Sequence, residues 1–121
     1  MKKSEVVKKS RDFEKIIHSG EIVKNKEFVI YFLDNPENNH FGISVGKKIG
    51  NAVVRNYYKR IIRNICDKNK KLYSKSRDYI IIMRKGCEKL DFNKINDSFV
   101  YLIEKINKKE KENDNEKEIE N

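Results

Sequence analysis

The sequence has no tryptophan, one proline, two cysteines, two histidines and five glycines in 121 residues. Cys66 and Cys87 do not form a C-x-x-C pair, and a tetrahedral zinc site needs four well-spaced ligands, so no zinc is expected. Both thiols read as small, semi-buried side chains. Gly46 and Gly50 are too sparse for a phosphate-cradling P-loop. No apolar run approaches the roughly 20 residues of a membrane span. The stretch from Met1 to Lys9 lacks the apolar core of a secretory signal, so a cytoplasmic location and no membrane partner are expected. The acids are scattered: none forms a D-x-D pair, and Asp12 and Glu14 do not face each other on a helix. His18 and His40 fall in different elements. With neither clustered carboxylates nor a histidine pair, no catalytic residue and no metal ligand is assigned to this chain.

What the sequence holds in excess is positive charge. Lys and Arg number 28 against 19 Asp and Glu, a net charge of +9. The last fifteen residues carry four lysines and six acids, leaving 24 basic against 13 acidic residues, or +11, in residues 1–106. So basic a body points to nucleic acid or an anionic surface. Residues 1–106 are expected to form one RNA-binding domain, because 121 residues suit a single domain. Residues 107–121 lack apolar periodicity and are expected to be disordered. There is no internal repeat.

The charge concentrates between Lys47 and Arg63. At about 100° per residue, Val54, Tyr58, Ile61 and Ile65 fall near one line of a helix, flanked by Tyr57 and Ile62. Arg55, Asn56, Lys59, Arg60 and Arg63 fall on the opposite half. Asn51 is a good N-cap, and Gly50 admits backbone angles other residues resist. No acid occurs in this helix before Asp67. Like charges at i, i+4 (Arg55, Lys59, Arg63) repel by a few tenths of a kcal/mol per pair, so folding alone does not explain them. A polyanion partner would turn that cost into affinity.

The remaining elements follow from period and punctuation. Ser10 can cap a short helix through His18 or Ser19, with Phe13, Ile16 and Ile17 as its apolar face and Gly20 as its stop. His18 reads as a capping cation at its C-terminal end. Glu27–Leu33 is a strand with Phe28, Ile30 and Phe32 on one face and Val29, Tyr31 and Leu33 on the other. Either both faces are covered, or one offers an aromatic to a ligand. Across a turn at 34–39, His40–Val45 is expected to return antiparallel as a hairpin. The central helix runs to about Asn69. Asp78–Met83 is a doubly covered strand, parallel and adjacent to His40–Val45. A last helix carries Phe92, Ile95, Phe99, Leu102, Ile103 and Ile106 as its core stripe. One further short strand falls near 22–24. The fold class is α+β, an α/β sandwich with one mixed sheet and a basic helix exposed along one edge. Phe13 and Tyr31 are the candidates to stack unpaired bases.

The run Lys47-Lys48-Ile49-Gly50-Asn51-Ala52-Val53, followed by Arg55-Asn56, Lys59-Arg60 and Arg63, resembles the signature of the bacterial ribonuclease P protein component. The likeness spans about residues 1–106 and includes Asp12-Phe13, Phe28–Leu33, Asn35-Pro36-Glu37-Asn38 and Asp78–Ile82. It implies the order α-β-β-β-α-β-α with a left-handed β-α-β crossover, against the usual right-handed rule. It implies the protein subunit of an endoribonuclease that removes the 5′ leader of precursor tRNA. Catalysis and the Mg2+ ions would reside mainly in the ribonuclease P RNA, with no organic cofactor. It further implies that Lys48, Arg55, Asn56, Lys59, Arg60 and Arg63 contact that RNA, and that Phe13, Ile17 and Tyr31 line a cleft for the single-stranded leader of precursor tRNA. Two positions depart from the family pattern: Tyr57 stands where an arginine is usual, and Ile17 where an aromatic is often found. Two other readings of the residues remain open: a ribosomal or other structural RNA-binding protein, and a stand-alone nuclease.

Overall fold

The Ile80–Ile82 run sits in strand β4 (Arg77–Met83), one of two strands with neighbours on both sides. The computed structural model describes residues 1–7 and 9–120, with side chains described through Glu110. Strands β1 (Glu21–Lys24), β2 (Phe28–Asp34), β3 (His40–Val45) and β4 form one mixed sheet in the order β1-β2-β4-β3. Helices α1 (Ser10–Ser19), α2 (Ala52–Lys68) and α3 (Phe92–Glu120) complete the sandwich. The short strand expected near 22–24 is β1, antiparallel on the outer edge of β2.

The expected hairpin between β2 and β3 does not form. β4 lies between them, antiparallel to β2 from Phe28↔Met83 to Asp34↔Arg77 and parallel to β3 from His40↔Asp78 to Val45↔Met83. A continuous apolar strand is stable only where both faces are covered and both edges are paired, and that place is the centre. The connection 35–39 therefore bridges two strand spacings, about 9.5 Å, rather than one. It is tied across the end of β4: the Asn35 N–H donates to Ser76 O (3.2 Å) and the Arg77 N–H to Asn39 Oδ1 (2.9 Å). The parallel, adjacent pairing of β3 and β4 around α2 is as the sequence predicts.

Period-2 alternation decides which face carries the core. Phe28, Ile30 and Phe32 are 0%, 0% and 4% exposed, whereas Val29, Tyr31 and Leu33 are half-buried. Over the buried face lie Ile62, Ile65 and Cys66 of α2 and Ile95, Phe99, Leu102, Ile103 and Ile106 of α3. The Phe99 ring meets Phe28 edge-on at 6.3 Å. Phe92, expected in the same stripe, stays 38% exposed at the first turn of α3, with Lys68 Nζ 5.4 Å from its ring centroid. The buried side of α2 is turned away from the Val54 line towards Ile62 and Cys66, because Val54, Tyr58 and Ile61 only skirt the core. Both thiols are more deeply buried than expected, at 1% exposure each. Burial pushes Cys87 up to about 12, with Glu27 and Glu88 adding to it.

Two helix ends differ from the reading of the sequence. Ser10 is the first residue of α1 and not its cap; Lys9 holds the cap position without a side-chain hydrogen bond. Gly20 ends α1 at φ −84°, so its role is space: a Cβ there would lie 2.5 Å from Ile16 O and 2.7 Å from Phe32 O. At the other end of the chain, α3 continues through the segment expected to be disordered and reaches Glu120; Asn121 lies outside the described residues. Residues just past 106 find partners in the α2–β4 connection and at the start of β4. Asn107 Nδ2 donates to Leu72 O (2.8 Å), and Glu110 Oε2 accepts from Ser74 Oγ (2.6 Å) and Arg77 Nη2 (2.9 Å). Arg77, 2% exposed, also donates through Nε to Asp34 Oδ1 at 3.1 Å.

Candidate nucleic-acid interface

The chain leaves β3 through a tight turn, where the Ile49 N–H donates to Gly46 O at 3.1 Å. Gly50 has no positive φ. A Cβ on it would lie 2.8 Å from Val54 Cγ1, so the residue is small to let the first turn of α2 close. Asn51 caps that turn as the sequence predicts, its Oδ1 accepting from the Val54 N–H at 3.1 Å. Together they set the direction of a 17-residue helix with no acid in its first turn.

Lys48, Asn56, Arg60 and Arg63 are exposed; Arg55 and Lys59 are half-buried on the flank of α2 nearer the core. Among the described residues, none of these cations forms an ion pair with a carboxylate. Asp67, the one acid of α2, is taken by the amino group of Met1. Arg55 Nε is buried and has no hydrogen-bond partner among the described residues, an arrangement that leaves a donor needing an acceptor. Tyr57 projects from the same side, 55% exposed. Its neighbour Tyr58 is anchored, donating its hydroxyl to Glu88 O at 3.1 Å. Burial first, then Tyr57, raises the Tyr58 hydroxyl above the ordinary phenol value, keeping it a donor.

A second surface lies on the sheet face away from α2 and α3. The register places Ile22, Tyr31, Ile80 and Gly42 in one row and Lys24, Val29, Ile82 and Ser44 in the next. α1 packs against β2 and β4 here, with Ile16 buried. Phe13 lies half-buried over Gly42; a Cβ on Gly42 would sit 2.7 Å from Phe13 Cζ and 2.7 Å from Ile80 Cδ1. Tyr31 is half-buried, Ile17 is 39% exposed and Ile22 42% exposed. Phe13, Ile17 and Tyr31 thus belong to the single face where α1 leaves part of the sheet uncovered. Gly42 was not singled out by sequence, because only the fold reveals that the Phe13 ring needs its missing side chain. Gly42→Ala is expected to displace Phe13 and to cost about 1–3 kcal/mol, as overpacking does. Urea unfolding measures this; an unchanged midpoint would show that α1 rides more loosely than its contacts indicate.

The two histidines do not converge. His18 is exposed in the last turn of α1. His40 Nδ1 lies 2.8 Å from Asp78 Oδ1, which also accepts from Asn35 Nδ2 at 2.8 Å, an arrangement that buttresses the β2–β3 connection. Among the described residues, no three His, Cys, Asp or Glu side chains come together where they could hold a metal ion. No described helix is long and apolar enough to cross a membrane.

A cationic helix unneutralised among the described residues, and a partly uncovered aromatic face on the other side of the sheet, define an RNA-binding α+β protein. The family model for ribonuclease P matches residues 1–107. The chain is 45% identical over 105 residues to the ribonuclease P protein component of Macrococcus caseolyticus, covering 85% of this chain and 90% of that protein. It is 44% identical over 108 residues to the one from Mycoplasma mycoides, covering 88% and 99%. The structure of the Staphylococcus aureus RNase P protein superposes with a TM-score of 0.77 at 36% identity, covering 88% of this chain and 97% of that one. The RNase P protein from Thermotoga maritima gives 0.76 at 31% identity, covering 84% and 96%. The chain belongs to the ribonuclease P protein family.

Proposed function

We propose that this chain grips the ribonuclease P RNA with the cationic side of α2 and steadies the 5′ leader of precursor tRNA in the cleft between α1 and the sheet. Family membership makes it the RNA-binding protein subunit of that tRNA-processing endoribonuclease. The observation that carries the reading is that, among the described residues, none of the α2 cations Arg55, Lys59, Arg60 and Arg63 pairs with a carboxylate. Lys48, Arg55, Asn56, Lys59, Arg60 and Arg63 would meet phosphate oxygens, Arg with its fixed fork of donors. Phe13 and Tyr31 would stack leader bases, and Ile17 would supply aliphatic contact beside them. Magnesium is assigned to the RNA subunit in this reading, as the family resemblance implies, and no step is routed through this chain's carboxylates. The protein's contribution is to soften phosphate repulsion between two RNAs, which is only partly screened at physiological salt. The cytoplasm, where tRNA precursors are made, is the compartment that fits.

Tyr31→Ala tests the cleft. In the reconstituted holoenzyme it is expected to weaken leader-bearing precursor about 5- to 150-fold, the range of one lost stacking contact, and to leave mature tRNA unchanged. Equal losses for both RNAs would refute the cleft assignment.

A further inference from the structure

Phosphate recognition needs only cations, yet the outer side of α2 also carries an aromatic ring. Val53, Tyr57 and Arg60 lie at i, i+4 and i+7, consecutive neighbours along one side of the helix. Val53 is 78% exposed and Tyr57 55% exposed, and Asn56, Arg60 and Arg63 around them are exposed too. The Tyr57 ring is held in place: it meets Tyr58 edge-on at 5.2 Å and 73°. Tyr58 is in turn anchored by its hydrogen bond to Glu88 O. A ring fixed before binding loses little rotamer freedom when it is covered. A solitary exposed aromatic needs no explanation; a braced one among unpaired cations has a defined complement. That complement is a flat π surface linked to a phosphate, which is an unpaired nucleotide.

We propose that Tyr57 is a nucleobase-stacking residue: one unpaired base of the ribonuclease P RNA lies on its exposed ring while the neighbouring cations hold the adjoining phosphates. This rests on the reading that α2 faces that RNA. The charge around the ring selects a polyanion over an apolar protein partner, and the ring face selects an unpaired base over a duplex, whose bases are already stacked. Stacking is tolerant of base identity and independent of counterion release, so its signature differs from that of a phosphate contact.

The experiment measures binding of the full-length chain to ribonuclease P RNA over a salt series, for wild type, Tyr57→Ala, Tyr57→Leu, Tyr57→Phe and Arg60→Ala. Tyr57→Ala and Tyr57→Leu are expected to bind roughly 5- to 150-fold more weakly at every salt concentration with an unchanged log–log slope. Tyr57→Phe is expected to stay within about twofold of wild type, because the ring remains. Arg60→Ala should lower the slope by nearly one. Wild-type affinity in Tyr57→Ala overturns the proposal. So does full binding by Tyr57→Leu, which would mean apolar bulk suffices, or loss in Tyr57→Phe equal to that in Tyr57→Ala, which would assign the effect to the hydroxyl. If only the Tyr57 variants are silent, the phosphate-binding role of α2 survives; if Arg60→Ala is silent as well, that role fails too.

Discussion

Arg55→Ala, Arg60→Ala and Arg63→Ala together are expected to weaken binding to ribonuclease P RNA on the order of 1,000-fold. Hydrogen bonds to charged groups contribute about 1.5–3 kcal/mol each, and three at the lower figure give about 4.5 kcal/mol. The log–log salt slope should fall by about two to three, one counterion's worth per lost phosphate contact. The fold should survive. Arg60 and Arg63 are exposed, none of the three forms an ion pair among the described residues, and removing them relieves repulsion at i, i+4. A filter-binding or calorimetric salt series checks the affinity, and thermal melting checks the fold. A triple variant that binds as wild type does would move the RNA contact off α2.

Glu110→Ala is expected to destabilise the protein by about 2–4 kcal/mol. The Arg77 guanidinium is buried at 2% exposure, and removal of Glu110 leaves it with Asp34, whose side chain is 61% exposed. Breaking a buried pair from one side strands a desolvated charge, whereas removing both charges does not. Arg77→Met in the Glu110→Ala background should therefore recover much of the loss, because a thioether chain fills the same channel without a charge to satisfy. Acid unfolding gives a second reading. The Ser74 hydroxyl first, and then Arg77, hold the Glu110 carboxyl below its ordinary value of 4.5, against the opposing pull of burial. A carboxyl depressed in the folded state contributes stability that is present above the unfolded value. That stability is lost as the pH falls through the folded value. Glu110→Gln should thus flatten the fall in stability below about pH 4.5.

These residues also mark where the sequence was legible and where it was not. The α2 pattern is local: a cap, a 3.6-residue period and a row of cations within 17 residues state the helix, its wet side and its charge. The alternation Phe28-Ile30-Phe32 likewise declares a core face, though only the position of α1 decides that Tyr31 stays partly uncovered. Strand pairing is a different kind of information. Residues 35–39 suit a hairpin as well as a crossing. The choice is made by β4, about forty residues later, which takes the edge of β2 and buries Tyr79, Ile80, Ile81 and Met83 there. The segment past Ile106 shows the same limit. Its Lys/Glu composition carries no apolar signal, and the partners that hold Asn107 and Glu110 lie 33 to 36 residues away, in the α2–β4 connection and at the start of β4. Gly20, Gly42 and Gly50 were harder still, because each is small for the sake of a neighbour that only the fold supplies.

Cleavage of precursor tRNA by the ribonuclease P RNA at low magnesium, with and without this protein, tests the account at its centre. The wild-type chain should restore cleavage that the RNA alone performs poorly, and the Arg55, Arg60 and Arg63 triple variant should fail to do so at the same protein concentration. Equal rates with wild type, with the triple variant and with no protein would contradict the claim that the α2 cations exist to hold that RNA.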